Sequence, residues 1–220
     1  MNELKFDAII FDFDGVLVES VDVKTKAFAS LYSEYGQDVV SKVILYHLEH
    51  SGISRFVKFH YYHETLLNKD LSPDEEALLG ERFSKIVEDA VVQACWVEGA
   101  MHFLTNHYRL LPLFVASGTP QQELERIIMR RSMEHFFRSV HGTPSTKGEI
   151  IQAIIQKHGF DRQRMLMVGD ARADYEGAMS AGVNFIGRIL ERNNFFPDTV
   201  PVISTLNSLA DFIRAIPHKS

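Results

Sequence analysis

The hydrophobic positions of the chain fall into short uninterrupted runs, with stretches of helical periodicity between them. The first run ends at Ile9, Ile10 and Phe11 and has no alternating polar residues, which is typical of a strand buried on both faces. Further runs predict strands at 111–116, 139–141, 165–168 and 183–186. Helical patterns occur at 121–131, 148–158, 175–181 and 206–216. Strands that alternate with helices in this way predict a parallel sheet with right-handed crossovers.

The interval after the first strand has a different pattern. It contains no convincing strand and predicts helices at 24–35, 42–50, 54–67 and 73–93. The last of these has a well-marked start, because Ser72 can cap it and Pro73 fits its first turn. A helical block inserted here would lie over the carboxyl end of the first strand. We therefore expect a Rossmann-like core of residues 1–16 and 96–220 and a helical cap of residues 17–95.

Composition and charge narrow the class of protein. The 220 residues are 45% hydrophobic, and 23 basic against 29 acidic side chains give a net charge of −6, which argues against a nucleic-acid or anionic-membrane surface. The single Cys95 excludes an internal disulfide and fits a reducing compartment. The N-terminus lacks a signal-like apolar segment, and no run of about 18 apolar residues occurs. We expect a cytoplasmic protein without nucleic-acid or membrane partners, and the sequence does not indicate its oligomeric state.

Two carboxylates stand where the first predicted strand ends. Asp12 and Asp14 are spaced two apart, so an extended chain points both side chains the same way, and Gly15 lets the chain turn. Two carboxylates this close repel each other unless a cation or a proton lies between them. A calcium loop of the EF-hand kind does not fit, because its first and last ligand positions would be Ile10 and Val21. The pair therefore calls for a metal or for two different protonation states.

Three further polar segments follow predicted strands. Ser117 and Gly118, taken to open a helix, offer a hydroxyl and free backbone N–H groups to an anion. Lys147 stands at the start of the next helix, and Asp170 and Asp174 follow the fourth strand. Ligands of such sheets bind beyond the carboxyl ends of the strands, so these groups are expected in one site. Phosphoryl transfer needs such a set: a nucleophile, carboxylates for a divalent cation such as Mg²⁺, and donors for phosphate oxygens.

The motifs resemble, in order and over nearly the whole chain, those of the haloacid dehalogenase superfamily, in its branch of helical-cap phosphatases and β-phosphoglucomutase-like enzymes. The four motifs are Asp12-Phe13-Asp14-Gly15-Val16, Ser117-Gly118-Thr119, Lys147, and Gly169-Asp170 with Asp174. The resemblance implies a Mg²⁺-dependent phosphatase. Such an enzyme would hydrolyse a small phosphomonoester, a phosphorylated metabolite, through an aspartyl-phosphate intermediate.

The resemblance also implies a role for each motif residue. Asp12 would be the nucleophile, and Asp14 would protonate the leaving oxygen and later help to activate water. Lys147 would hold both Asp12 and the phosphate, whose oxygens would also be bound by Ser117 and the N–H of Gly118. Mg²⁺ would be bound by Asp12, by Asp170, by the backbone carbonyl of Asp14, and by Asp174 directly or through water.

The cap offers one candidate for substrate specificity. Gly52 and Arg55 have a spacing that related capped enzymes place in the lid, facing the substrate. Arg55 would bind substrate oxygens there, and the alternative is an arginine on the surface at the start of a helix. Lys58, one turn later, is a weaker candidate of the same kind.

Two alternative functions remain open: a phosphosugar mutase of the β-phosphoglucomutase type, and a catalytically silent binding domain. Asp14 favours phosphate chemistry over halide displacement. Lys24 stands where the mutase branch typically carries His, which weighs against a mutase. A silent domain would be expected to lose Asp12 or Asp14, and both are present. A phosphonatase with a Schiff-base lysine is a third possibility, but its first motif commonly has Ala in place of Asp14.

Overall fold

The structure is a computed structural model that describes residues 6–189, 196–207 and 209–215. Within these ranges six strands form one sheet in the order β3-β2-β1-β4-β5-β6, and all neighbouring strands are parallel. The strands are β1 (Ala8–Phe11), β2 (Leu113–Pro120), β3 (Ser139–Thr143), β4 (Met165–Gly169), β5 (Asn184–Arg188) and β6 (Val202–Ile203). The predicted α/β class with a parallel, Rossmann-like sheet is confirmed.

β1 lies in the middle of the sheet and is buried on both faces. Ile9 and Phe11 belong to one hydrophobic cluster, and Ala8 and Ile10 to the cluster on the opposite face. This explains the uninterrupted apolar run, because a strand covered on both sides has no polar face. β1 pairs with β2 on one side and with β4 on the other, so the strand order reverses here. The crevice beyond the carboxyl ends of β1 and β4 is therefore the place where such sheets bind ligands.

Helices cover both faces of this sheet. They are α5 (Ala100–His107), α6 (Gln121–Arg130), α7 (Lys147–His158), α8 (Arg172–Ala181) and α9 (Leu209–Ala215). Leu124 and Ile127 of α6 pack in one hydrophobic cluster, and Ile150 of α7 and Ala178 of α8 pack in the other. No helix in the described ranges is long and apolar enough to cross a membrane.

Four of the helices between β1 and β2 precede α5, and we call residues 21–93, which contain them, the cap. They are α1 (Val21–Leu31), α2 (Gln37–Glu49), α3 (Arg55–Tyr61) and α4 (Pro73–Gln93), and α3 continues as a π-helical turn over Tyr62–Leu66. α4 starts at the predicted residue, where Ser72 and Glu75 form a reciprocal capping box. Aromatic side chains hold the cap together, and the Phe28 and Phe83 rings lie 4.4 Å apart.

The two segments that join the cap to the core pair with each other. Val18 and Trp96 form an antiparallel bridge. The N–H of Glu19 donates to the carbonyl of Cys95 at 2.9 Å, and the N–H of Val97 donates to the carbonyl of Leu17 at 3.0 Å. The division predicted at residues 17 and 95 falls in this paired segment.

Some elements differ from the predictions. α5 and β6 were not anticipated, and β6 is only two residues long. β2 continues to Pro120 through a register shift against β3. Ser117 and Gly118 therefore lie on a strand, and the prediction that they open a helix is wrong. The helix predicted at 206–216 begins at Leu209, and residues 208 and 216 lie outside the described ranges, as do residues 1–5 of the predicted core.

Candidate active site

The residues singled out in the sequence meet beyond the carboxyl ends of β1, β2 and β4. Asp12 directly follows β1, and its N–H donates to the carbonyl of Val168 in β4 at 2.9 Å. Carboxylate oxygens of Asp12, Asp170 and Asp174 lie within 4.8 Å of one another. The parallel register brings these groups together, since adjacent strands end at the same edge of the sheet.

Lys147, the first residue of α7, is the cation of this cluster. Its ammonium lies 2.5 Å from Asp12 Oδ1 and 2.6 Å from Asp174 Oδ1, and it donates to the carbonyl of Ala116 at 2.6 Å. Burial alone would lower the pKa of Lys147, but the two carboxylates raise it above its usual range. Lys147 is therefore charged and fixes the orientation of Asp12.

The single positive charge of Lys147 does not balance the negative charge of the three neighbouring carboxylates. Burial raises the pKa of Asp12 to about 7, and the charge of Asp174 adds to the effect while Lys147 opposes it. The pKa of Asp170 is likewise raised, first by burial and then by the charges of Asp12 and Asp174. Carboxylate oxygens in such excess fit a hard divalent cation such as Mg²⁺. Gly15 is needed beside them, because a Cβ at this residue of positive φ would overlap the Asp170 carboxylate.

The Asp14 carboxylate lies outside the three-carboxylate cluster and turns towards the cap. It accepts hydrogen bonds from Ser20 Oγ at 2.6 Å and Thr119 Oγ1 at 3.1 Å, and it contacts the ammonium of Lys24. Burial would raise the pKa of Asp14, but Lys24 and the two hydroxyl donors hold it below its usual value. A metal contact of Asp14 thus remains a prediction for its backbone carbonyl only.

Sequence reasoning noted Lys24 at the position of the mutase-branch His but did not include it among the site residues. The residue lies on α1, the first cap helix, and its ammonium also donates to Thr119 Oγ1 at 2.9 Å. The signal available was its distance from Asp14, ten residues along a chain that turns back at Gly15. Lys24 joins the cap directly to Asp14.

A loop of the cap rests on the core. Gly52 has a φ of +80°, and a Cβ there would lie 2.9 Å from the Ala171 Cβ. A Cβ on Gly118 would lie 2.6 Å from the Gly52 carbonyl oxygen. The cavity between cap and core measures about 50 Å³. This is a closed arrangement.

Arg55 lines this cavity but its guanidinium is already paired. It donates to both oxygens of Glu123 on α6, at 2.9 and 2.5 Å, and to Ser84 Oγ at 2.9 Å. Arg55 is 4% and Glu123 2% exposed. The surface alternative for Arg55 is therefore wrong, and its contact with substrate stays a prediction. The partner Glu123 was not found from the sequence, since it lies 68 residues away.

The remaining phosphate-binding candidates lie at the edge of the same space. Gly118 lines the cavity. Ser117 is buried one residue before it, and its Oγ accepts the N–H of Thr119 at 3.1 Å. Lys58, the weaker cap candidate, also lines the cavity, next to His47.

Comparison with known proteins finds a matching family model, similar sequences and similar folds. Residues 9–188 match the family model of haloacid dehalogenase-like hydrolases. The chain is 25% identical over 179 residues to a phosphoglycolate phosphatase of Synechococcus elongatus, covering 80% of each chain. It is 22% identical over 193 residues to a phosphorylated carbohydrates phosphatase of Thermotoga maritima, covering 86% of this chain and 87% of the other. The HAD-hydrolase YfnB of Bacillus subtilis, solved bound to magnesium and described with interdomain movement, superposes with a TM-score of 0.71 at 16% identity, covering 94% and 98%.

Proposed function

The chain belongs to the haloacid dehalogenase-like hydrolase family, and from that premise we propose that it is a Mg²⁺-dependent phosphatase of a small phosphomonoester. The observation that carries this proposal is the position of Asp12. Its carboxylate is held by Lys147 and lies with two further carboxylates at the wall of the cavity. The phosphatases among the relatives support the same class of reaction. The expected cytoplasmic location stays part of the proposal.

In the first step, an Asp12 oxygen attacks phosphorus and the ester oxygen leaves, which forms an aspartyl-phosphate. The charged Lys147 orients Asp12 and stabilises the equatorial oxygens of the transferring group, as preorganised donors do. Gly118 and Ser117 would provide further donors for the phosphate oxygens. Mg²⁺ held by Asp12, Asp170 and Asp174 would screen the charge of the phosphate and keep Asp12 ionised.

Asp14 acts on the leaving oxygen and then on water. In the closed structure Lys24 keeps Asp14 ionised, the state that a general base for water requires. The acid role of the first step requires a proton on Asp14. A dianionic phosphate arriving beside it opposes the ionised form and so favours that proton.

The cap closes the site and limits the substrate. The closed cavity is small, and the loop at Gly52 rests against the core, so substrates enter only when the cap moves away. Phosphorylated side chains of a folded protein do not fit beneath it. The proposed substrate is therefore a small phosphorylated metabolite, with the phosphate at the core and the rest at the cap.

The test is a panel of phosphorylated metabolites incubated with Mg²⁺ and assayed for inorganic phosphate. We expect phosphate release from small monoesters and none from phosphodiesters. Isomerisation of a phosphosugar without phosphate release would support the mutase alternative instead. Tight binding without turnover of any ester would support the silent domain.

A further inference from the structure

The cap wall of the cavity carries three cationic side chains, and they differ in their partners. Lys24 contacts the carboxylate of Asp14, and Arg55 is paired with Glu123. Among the described residues, no carboxylate lies within ion-pair distance of Lys58. Its ammonium instead contacts His47, at 2.9 Å from Nδ1 and 3.4 Å from the carbonyl oxygen.

Lys58 and His47 are nevertheless deeply buried. Lys58 is 3% and His47 4% exposed, and both line the same cavity as Asp12 and Asp170. When Lys58 is an ammonium, which can only donate, Nδ1 is the acceptor and the proton of the neutral imidazole is on Nε2. This Nε2 is buried and has no hydrogen-bond partner in the described part of the chain. A buried donor without a partner is unfavourable, so Nε2 is available to donate a hydrogen bond to a ligand.

We propose that Lys58 and His47 bind a second acidic group of the substrate, a carboxylate or a further phosphate. This inference rests on the proposed phosphatase function and specifies its substrate class: small phosphomonoesters that carry another anionic group. The phosphate would lie at Asp12 in the core, and the second anion would lie at the cap end of the cavity. Arg55, the candidate favoured by the sequence, would act mainly through Glu123.

The electrostatics favour an anion over a neutral polar group. Burial lowers the pKa of Lys58 to about 7, Lys24 on α1 and Arg55 on its own helix act in the same direction, and Asp14 in the core opposes them. His47 on α2 does not carry a compensating charge, because burial lowers its pKa to about 3. An anion beside Lys58 would stabilise the ammonium and restore its charge. A hydroxyl group would not.

The experiment compares four esters that share one short skeleton. Ethyl phosphate has no second polar group, hydroxyethyl phosphate adds a hydroxyl, carboxymethyl phosphate adds a carboxylate, and ethylene glycol bisphosphate adds a phosphate. We expect kcat/KM for the carboxylate or the bisphosphate ester to exceed that for ethyl phosphate by at least tenfold. The member with the higher value identifies which anion the site takes.

Lys58→Met removes the charge and keeps the length of the side chain. We expect the ratio of kcat/KM between the anionic ester and ethyl phosphate to fall by ten- to a hundredfold. Lys42→Met on the exposed face of α2 is the matched control, and its ratio should equal that of the wild type. In the wild type this ratio should also decline as the pH rises through about 7, because Lys58 of the free enzyme then loses its proton. This pH profile is measured with carboxymethyl phosphate, because its carboxylate stays ionised over this range whereas the second phosphate of the bisphosphate ester titrates within it.

Binding is measured separately, by calorimetry of the same esters with the Asp12→Asn protein in the presence of Mg²⁺. Turnover of ethyl phosphate at a rate equal to the anionic esters would overturn the second-anion site and leave the phosphatase function standing. An equal loss on all esters in Lys58→Met would mean a structural role for Lys58, which also overturns the proposal. Preferential binding of the anionic ester without turnover of any ester would support the site while the phosphatase function fails.

Discussion

Replacing Glu123 by Gln should open the cap without unfolding the core. Glu123 lies on α6 of the core, and its partner Arg55 lies on α3 of the cap, so their two hydrogen bonds cross between the two parts. Both side chains are almost fully buried in this closed arrangement. In the open arrangement both would be in water, and the loss of one charge would cost little there.

The magnitude follows from burial and geometry. Removing one partner of a buried ion pair costs about 3–5 kcal/mol. The Gln oxygen and Ser84 still accept hydrogen bonds from Arg55, and its guanidinium lies 4.4 Å above the Phe83 ring, so we expect about 2–3 kcal/mol against closure. By the conversion of 1.4 kcal/mol for each factor of ten, the closure equilibrium shifts by about 30- to 150-fold.

The assay is steady-state kinetics on the best ester of the phosphatase panel, together with thermal unfolding. In Glu123→Gln, kcat/KM should fall by at least tenfold, and Tm should fall by less than about 4 °C, the shift expected for roughly 1 kcal/mol in a chain of this size. Glu125→Gln, on the exposed side of the same helix, is the control and should change neither.

Two outcomes would refute this reasoning. A large decrease in Tm with unchanged kinetics would mean that the pair stabilises the fold and does not control closure. Unchanged kcat/KM together with an unchanged Tm would mean that the ion pair contributes neither to closure of the cap nor to stability. The double variant Arg55→Met with Glu123→Met supplies a further check: with neither charge left in the closed interface, it should recover part of the activity that Glu123→Gln loses.

The remaining predictions concern the nucleophile, the metal and the contact between cap and core. Asp12→Asn should lower phosphate release by several powers of ten and abolish the phosphoenzyme trapped by rapid quenching, because the attacking oxygen is lost; near-normal turnover would remove Asp12 from this role. Excess chelator should abolish activity, and Mg²⁺ should restore it while Ca²⁺ does so poorly; full activity in chelator would contradict the metal site. Gly52→Ala should lower kcat/KM at least tenfold, since its Cβ meets Ala171 at 2.9 Å, whereas Gly159→Ala, which has a similar positive φ but nothing within 4 Å, should leave kinetics unchanged.

The parts of the fold that the sequence predicted well depend on local signals. β1 was predicted because burial on both faces leaves an uninterrupted apolar run. α4 was predicted residue for residue, because Ser72 and Pro73 mark its start in any context. The candidate site followed from topology, since Asp12 and Asp170 come after strands that end at one edge of the sheet.

The parts that could not be predicted depend on distant partners. Nothing near Arg55 in sequence indicates Glu123, because the ion pair forms only when the fold brings the start of α3 within reach of α6. β2 passes through Ser117 and Gly118 because β3 accepts a register shift, which hydrophobic periodicity does not reveal. Lys58 was only the weaker of the two cap candidates, because its burial beside His47 depends on packing that the sequence does not reveal.

The paired linkers at Val18 and Trp96 have a consequence for how this protein tolerates change. The cap leaves and re-enters the core at two hydrogen-bonded segments. Their pairing holds the two ends of the cap at the same separation whatever chain lies between them. Lengthening such a closed loop adds only about 0.6 kcal/mol of entropy for each doubling. Helices can therefore be inserted, lost or exchanged beyond this junction at little thermodynamic cost to the sheet. A cap transplanted from another protein at these two points would present new side chains to an unchanged nucleophile.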